Sequence, residues 1–166
     1  SKASITEPLV EAAAPLISVA IGGQCVVNED VTLQNNNNVS GLGGAILNNG
    51  LTSLQGLTVS ETKALKGSAI YQNGTLNVKQ DNVLGTQDIY LNTSKYVTIT
   101  GTQATQMMIT PSTTVPSITV AKANYSTYTG DTILSKFALT DSLANYYLTA
   151  DGKTVKMKKT LQPTTI

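Results

Sequence analysis

The chain has 166 residues, of which 40% are hydrophobic and 13% are charged, and its formal net charge is +1. This composition predicts one ordered domain and excludes a highly charged disordered tail. His and Trp are absent and every basic residue is Lys, so a nucleophilic triad built on His is excluded and nucleic acid is not an expected partner.

The single cysteine, Cys25, cannot form an internal disulfide. Its apolar neighbours Val26 and Val27 indicate a small buried residue rather than a reactive thiol. No run of about 18 apolar residues occurs, so the sequence predicts no membrane-spanning helix. Low charge together with abundant Thr, Ser and Asn favours an extracellular bacterial protein.

The first predicted coil contains short strands at residues 16–19 and 31–33, which are rich in β-branched residues. Gly22, Gly23 and the run Asn35–Asn38 are predicted as turns, because Gly and Asn accept left-handed backbone conformations. Strands of similar length follow along the chain, and each is too short to be stable alone.

The pattern of residues 43–50 returns at residues 67–74. Both copies carry the order Gly-x-Ala-Ile-x-x-Asn-Gly, and such repetition is typical of stacked solenoid coils. Hairpins of a β-sandwich would also give short strands and Asn-Gly turns, but they give no reason for the same small residues to recur one period later. The repeat therefore favours an all-β fold, a right-handed parallel β-helix.

In such a helix, equivalent residues of the two copies lie one above the other at the usual strand spacing. We expect the repeat isoleucines to stack inside, and the repeat asparagines to form a ladder of side-chain amides that satisfies backbone groups of the turns. The predicted structural ladder consists of Ile46, Ile70, Asn49, Asn73, Gly50 and Gly74.

A later and shorter coil is predicted from the strands at residues 87–92 and 97–101. Together with the repeat and the first coil, it gives about four coils. We therefore assign residues 1–115 to the β-helix and residues 116–166 to a capping segment of the same domain.

The capping segment contains four of the seven tyrosines and the single phenylalanine. The hairpin signal Asp151-Gly152 predicts a cap of β-hairpins, which would cover the open end of the solenoid. The four tyrosines are predicted to belong to the core or cap, or alternatively to contact a glycan, because amphipathic rings suit carbohydrate faces. These candidate glycan contacts are Tyr125, Tyr128, Tyr146 and Tyr147.

The segment Gly43–Ile46 with its downstream Asn, repeated ahead of short Val, Leu and Thr strands, resembles the repeats of polymorphic outer-membrane proteins and of related large surface proteins of bacteria such as chlamydiae and spirochaetes. Two features depart from that pattern. The companion Phe-x-Asn motif is replaced by 57–60, and the second copy reads Gly-Ser-Ala-Ile at 67–70. The resemblance covers most of residues 15–158. It implies a secreted or cell-surface protein that works as an adhesin or a stalk.

Parallel β-helices also include polysaccharide lyases and glycoside hydrolases, and a hydrolase needs two carboxylates about 5 to 10 Å apart. Asp81 with Asp88, or Asp30 with Glu61, would have to meet across adjacent coils. These residues and Glu29 lie in or beside predicted turns, where solvated acids are common. No loop offers the six to eight oxygen ligands that calcium takes, so no metal and no cofactor is expected.

The sequence therefore predicts a non-enzymatic bacterial module, an adhesin or stalk without catalytic residues. Its expected partners are a host surface protein, a glycan, or neighbouring copies that associate through the solenoid ends. A carbohydrate-active β-helix is the alternative, and a passive spacer is a third hypothesis.

Overall fold

The computed structural model describes residues 3–6, 14–115 and 117–161. In these residues the chain forms sixteen strands, a short α-helix and a 3-10 helix. The strands are β1 Ala3–Thr6, β2 Ile17–Val19, β3 Gln24–Val27, β4 Val31–Leu42, β5 Ile46–Asn48, β6 Leu51–Gln55, β7 Thr58–Lys66, β8 Ile70–Gln72, β9 Thr75–Lys79, β10 Asp88–Leu91, β11 Val97–Ile99, β12 Met107–Pro111, β13 Ser117–Ala123, β14 Phe137–Leu139, β15 Tyr146–Asp151 and β16 Thr154–Lys159. Helix α1 is Gly130–Leu134, and the 3-10 helix is Asp141–Leu143.

The strands form three sheets that serve as the walls of a solenoid. Wall A has the order β1-β4-β7, wall B the order β2-β5-β8-β10-β12-β14, and wall C the order β3-β6-β9-β11-β13-β16-β15. Pairing is parallel throughout walls A and B and from β3 to β13 in wall C, whereas β13, β16 and β15 pair antiparallel. The predicted parallel β-solenoid of about four turns is therefore confirmed. The right-handed sense of the solenoid stays a prediction.

A column of isoleucines runs up the inner face of wall B, and the four from Ile46 to Ile109 are fully buried. The paired residues are Ile17, Ile46, Ile70, Ile89 and Ile109, with Leu139 at the end. Each pair therefore joins isoleucines of two consecutive coils. Branched side chains repeated at one register position pack face to face, so this column stabilises the stacking of the coils.

The glycines of the repeat have two different physical roles. Gly43 and Gly67 have φ of +76° and +72°, in the left-handed region that favours Gly. Gly50 and Gly74 instead lie against the backbone of the coil before them, where a Cβ on Gly74 would collide with the carbonyl oxygen of Gly50. The first glycine of each repeat copy is thus required for its backbone conformation, and the last glycine is required for close contact between coils.

Wall A has no strand beyond β7 in the part of the chain that the structure describes. Between β9 and β10 the coil crosses this side through residues 80–87, where only Val83 bridges to Thr58. Buried Asn82 closes the corner, because its side-chain oxygen accepts from the backbone N–H groups of Gly56 (3.0 Å) and Leu57 (2.8 Å). The two coils that separate Ile70 from Ile89 and Ile89 from Ile109 are therefore shorter than those before them, whereas the coil from Ile109 to Leu139 is longer again.

The run Asn35–Asn38 lies within strand β4, so its prediction as a turn is wrong. The side chains of Asn36 and Asn38 are 1% exposed and donate to the carbonyl oxygens of Gly44 (2.8 Å) and Gly43 (3.0 Å). The turn tendency of Asn is overridden because these amides bind backbone groups that would otherwise be unpaired. Asn35 alone, with φ of +59°, keeps a left-handed conformation.

The predicted C-terminal β-hairpin is confirmed, and further strands of the solenoid precede it. Strands β13 and β14 continue the parallel pairing of walls C and B, so the solenoid extends past residue 115. One antiparallel hairpin, β15–β16, follows and pairs with β13. Helix α1 packs against β13, β15 and β16, and its Ile133 is buried. Among the described residues, no helix has the length and apolar character needed to cross a membrane.

Candidate functional site

The corner that joins wall B to wall C changes in length along the solenoid. In the two repeat coils it consists of two residues, Asn49-Gly50 between β5 and β6 and Asn73-Gly74 between β8 and β9. After β10 it contains the five residues 92–96, and after β12 five residues again separate Pro111 from Ser117. We call the first pair the tight corner and the second pair the open corner.

Side-chain amides stack at the tight corner. Asn73 Nδ2 donates to Asn49 Oδ1, and Asn92 Nδ2 donates to Asn73 Oδ1, both at 2.8 Å. The ladder thus reaches Asn92, one coil beyond the repeat. Because each amide bonds to its counterpart in the next coil, the ladder holds the coils in register.

A second amide pair lies inside the solenoid and has no exposed surface. Asn48 Nδ2 donates to Gln72 Oε1 (2.7 Å) and to the carbonyl oxygen of Thr75 (2.8 Å), while Asn48 Oδ1 accepts from Thr52 (2.9 Å). The sequence analysis missed this pair, because Asn48 and Gln72 occupy equivalent positions of the repeat but are different residue types. Their shared register position would have been the signal.

The open corner contains a cavity of about 500 Å³. This volume lies within the range of small-molecule sites in proteins, about 300 to 1,000 Å³. Its lining comes from the loop after β10, the segment after β12 and strand β13. The lining residues are Leu91, Asn92, Thr93, Ser94, Lys95, Tyr96, Pro111, Ser112, Thr113, Val115, Ile118, Thr119 and Lys122.

The lining of the cavity combines apolar groups, hydroxyls and two ammonium groups. The Nζ atom of Lys122 lies 4.2 Å from the centre of the Tyr96 ring, a cation–π contact that fixes the position of its charge. Lys95 supplies the second ammonium group, and the described lining includes no carboxylate. The Ser112 hydroxyl oxygen is buried and has no hydrogen-bond partner among the described residues. The two lysines therefore give the lining a positive charge, and the hydroxyl-bearing lining residues with accessible surface include Thr93, Ser94 and Thr113.

A smaller cavity of about 160 Å³ lies on the other side of the same loop. The two cavities share Ser94, Lys95 and Tyr96. Ser94 has φ of +65°, so the backbone turns sharply here. The loop after β10 thus forms a ridge with a recess on each side.

The four predicted glycan contacts do not form a single row. Tyr125 and Tyr128 contact each other edge to face with ring centres 5.0 Å apart, and Tyr128 packs against the core. Tyr146 also packs against the core and its hydroxyl donates to the Thr114 carbonyl oxygen (3.3 Å), whereas its neighbour Tyr147 is 48% exposed. Their contact with a glycan stays a prediction.

Two aromatic arrangements outside the predicted set were missed by sequence reasoning. Tyr71 and Tyr90 occupy one register position on the outer face of wall B and stack with ring centres 5.4 Å apart. Tyr96 lies at the open corner beneath Lys122. The first pair could have been found from register, but the second depends on the position of a loop.

The candidate catalytic carboxylates have structural partners. Asp88 accepts from Ser68 N and Oγ (both 2.8 Å) and from Thr110 Oγ1 (2.6 Å). Asp81 accepts from the N–H of Ala104 (2.5 Å). These bonds hold neighbouring coils together, since each joins residues about one turn apart.

The second proposed carboxylate pair is separated by register. Strand β7 places Glu61 opposite Asn35 of β4, because the flanking residues on either side pair in parallel, whereas Asp30 precedes β4. Asp30 and Glu61 have φ of +65° and +51°, and Glu29 lies beside Gly56 at the next corner. The described residues contain no group of three or more Cys, Asp and Glu side chains that could hold a metal ion.

The only ion pair among the described residues lies in the C-terminal hairpin, far along the chain from the cavity residues. Lys156 donates a hydrogen bond to Asp151, which lowers the pKa of that carboxyl, and its positive charge lowers the pKa further. The Asp151 side chain is 62% exposed, so solvent screens the pair. Lys95 and Lys122 form no ion pair with the described residues.

Comparisons with models of protein families, with curated proteins and with solved structures gave no match. The fold and the cavity therefore carry the functional argument.

Proposed function

We propose that this chain is a non-enzymatic binding module of a bacterial surface or secreted protein, an adhesin or stalk segment built on a β-solenoid. The observation that carries the proposal is the open-corner cavity, whose described lining offers lysines, hydroxyls and apolar groups and contains no carboxylate. Such a lining is suited to holding a ligand and has no acid–base pair to cleave one.

The arrangement of the acids supports binding over hydrolysis. A glycoside hydrolase needs two carboxylates that face the same bond, one as acid and one as base or nucleophile. Asp81 and Asp88 instead accept hydrogen bonds from neighbouring coils. Their roles are explained by the stacking of the solenoid.

The cell-surface location rests on the sequence. Low charge, an abundance of Thr, Ser and Asn, and the resemblance of Gly43–Ile46 and its repeat to bacterial surface repeats all favour it. The loops of the open corner fit the same role, because binding residues are commonly carried by loops that a rigid scaffold positions.

A bead-attachment experiment tests the proposal. Beads coated with the full chain are mixed with cultured epithelial cells and, separately, printed glycans are probed with the soluble chain. The matched control is a variant in which residues 92–96 are replaced by Asn-Gly, the sequence of the tight corner. We expect attachment by the native chain and a loss of most attachment by the control.

Two results would contradict the proposal. Absence of attachment to cells and to all printed glycans would favour a passive spacer. Release of new reducing ends from polysaccharides by the native chain would favour the carbohydrate-active alternative. Sedimentation of the soluble chain at increasing concentration measures association between copies.

A further inference from the structure

We propose that the open-corner cavity binds an acidic saccharide, with Lys95 and Lys122 pairing with its carboxylate or sulfate and the apolar wall contacting its ring. This inference rests on the proposed binding function and names the ligand class of that same site. The argument has three steps, which concern charge, shape and hydrogen bonding.

Charge selects an anion. Two lysines, Lys95 and Lys122, belong to the lining of the cavity, and the described lining offers no carboxylate to neutralise them. The Tyr96 ring holds Lys122 in place at 4.2 Å, so less side-chain entropy is lost when an anion pairs with it. Neither of these lysines takes part in the ion pair of the described residues, which joins Lys156 to Asp151. A ligand's anionic group would therefore find its counter-charge at the open corner.

Shape and polarity select an organic ligand over a free inorganic anion. The lining also includes an apolar wall of Leu91, Pro111 and Ile118, as defined by residue type. A free sulfate or phosphate would leave that wall unused, whereas a sugar ring has apolar C–H faces that it can contact. The volume of about 500 Å³ is large enough for a short oligosaccharide.

Hydrogen-bonding capacity selects a ligand rich in hydroxyls. Three lining residues with hydroxyl groups, Thr93, Ser94 and Thr113, have accessible surface, whereas the Ser112 oxygen, which has no partner in the described part of the chain, is enclosed by the protein and is not offered to a ligand. Thr113 belongs to the segment after β12, and Thr93 and Ser94 belong to the loop after β10. Hydroxyl side chains both donate and accept, so they match sugar hydroxyls that do the same.

Isothermal titration calorimetry of the full chain tests the inference with paired probes. Trigalacturonate is compared with maltotriose, sialyllactose with lactose, and inorganic sulfate serves as the free anion. We expect the acidic sugars to bind about tenfold more tightly than the neutral sugars, because a hydrogen bond to a charged group contributes on that scale. Binding should weaken as salt concentration rises.

Two variants locate the site, and a third is the control. Lys122→Gln and Lys95→Gln each remove one charge while keeping a long side chain, and each should weaken trigalacturonate binding about tenfold. Lys153→Gln removes the same charge in the exposed turn of the hairpin and should leave affinity unchanged. Matching circular dichroism spectra establish that all three variants fold.

The outcomes separate this inference from the proposed function. Equal binding of acidic and neutral sugars, sulfate binding as tight as trigalacturonate binding, or an equal loss with Lys153→Gln would overturn the inference. If beads attach to cells while no acidic sugar binds, the proposed function stands and the inference fails. If trigalacturonate binds while beads attach to nothing, the inference stands and the adhesive role fails.

Discussion

The tight corner and the open corner occupy the same place in successive coils but follow different physical rules. At the tight corner, two residues complete the turn, Gly74 contacts the backbone beneath it, and amides bond from coil to coil. At the open corner, five residues complete each turn and a cavity forms between them. A solenoid thus stays regular where backbones touch, and it gains a recess where a longer loop removes that contact.

The buried residues that directly precede these corners, at the ends of the wall B strands, also change from one coil to the next. These residues are Val19, Asn48, Gln72, Leu91 and Pro111. Beneath the tight corner of the repeat coils they are amides that bond to backbone carbonyls, and beneath the open corner they are apolar. The buried network reaches the open corner through one hydrogen bond, from Gln72 Nε2 to the Tyr96 carbonyl oxygen (3.5 Å), but the residues under the open-corner loops are apolar, so these loops are expected to tolerate change better.

The largest effect should come from a methyl group at the tight corner. In Gly74→Ala the new Cβ would collide with the Gly50 carbonyl oxygen, although the backbone of Gly74 is outside the left-handed region. We expect the free energy of unfolding to fall by about 3 kcal/mol, measured by urea unfolding. In Gly22→Ala the Cβ meets open space and only the left-handed backbone is strained, so a loss of about 1 kcal/mol is expected. Equal losses would contradict the role of close approach.

The next effect concerns the buried amide pair. Asn48→Leu leaves Gln72 Oε1 and the Thr52 hydroxyl without their partner, and it should reduce the free energy of unfolding by about 2 kcal/mol. Because removing both partners leaves fewer orphaned groups, the double variant with Gln72→Leu should lose less than the sum of the single losses. Urea unfolding of the three variants measures this coupling, and additive losses would show that the amides act separately.

A smaller effect is expected at the outer ladder. Asn73→Leu removes hydrogen bonds to both Asn49 and Asn92, and a loss of about 1 kcal/mol should follow because the site is partly exposed. Asn92→Leu, at the end of the ladder, removes one of these bonds and should cost about half as much. Thermal unfolding compares the two. A greater loss from the end position would indicate that the ladder is not the source of the stability.

Converting the open corner into a tight one tests the comparison most directly. Replacing residues 92–96 by Asn-Gly shortens the loop from five residues to two. The entropic cost of closing the shorter loop is lower, which favours folding by about 0.8 kcal/mol. Loss of the Tyr96–Lys122 contact opposes this gain, so the net change should stay below about 1 kcal/mol. Denaturant unfolding measures it. Collapse of the fold would show that the loop is part of the scaffold.

The smallest effect lies outside both corners, at the hairpin ion pair. Because Lys156 lowers the pKa of Asp151 in the folded state, the pair stabilises the protein above the usual carboxyl pKa of 3.8. That contribution is lost as the pH falls below this value and through the lowered pKa. Thermal unfolding of the native chain and of Asp151→Asn across this range should show a small difference that vanishes in acid. A difference that grows in acid would contradict the assignment.

The repeat allowed the fold class and the central register to be predicted, since five of the eight residues at equivalent positions are identical. Ile46 lies opposite Ile70, and Asn73 bonds to Asn49. The strand at Asn36 could not be predicted from local propensity, because Asn is uncommon in strands. Here the Asn36 side chain donates to the Gly44 carbonyl oxygen, and local propensity does not include that contact. Tertiary hydrogen bonds decided the conformation there.

The cavity could not be predicted, because two loops of unrelated sequence form it. Tyr96 and Lys122 belong to different coils, and neither lies in the repeat. Their contact depends on the loop length after β10 and on the register between β11 and β13. Composition and motif spacing carry no information about that juxtaposition. A register-based search for longer corners would have pointed to it.

The spacing of the isoleucine column has a consequence for how the chain acquires its shape. From Ile17 to Ile109 each partner belongs to the very next turn of the chain, so no pairing in this column waits for distant segments to meet. Folding can begin wherever two adjacent turns first zip together and can then extend by accretion toward both ends. The amides around Ile46 and Ile70 should accordingly exchange with deuterium last, and the terminal turns should fray first.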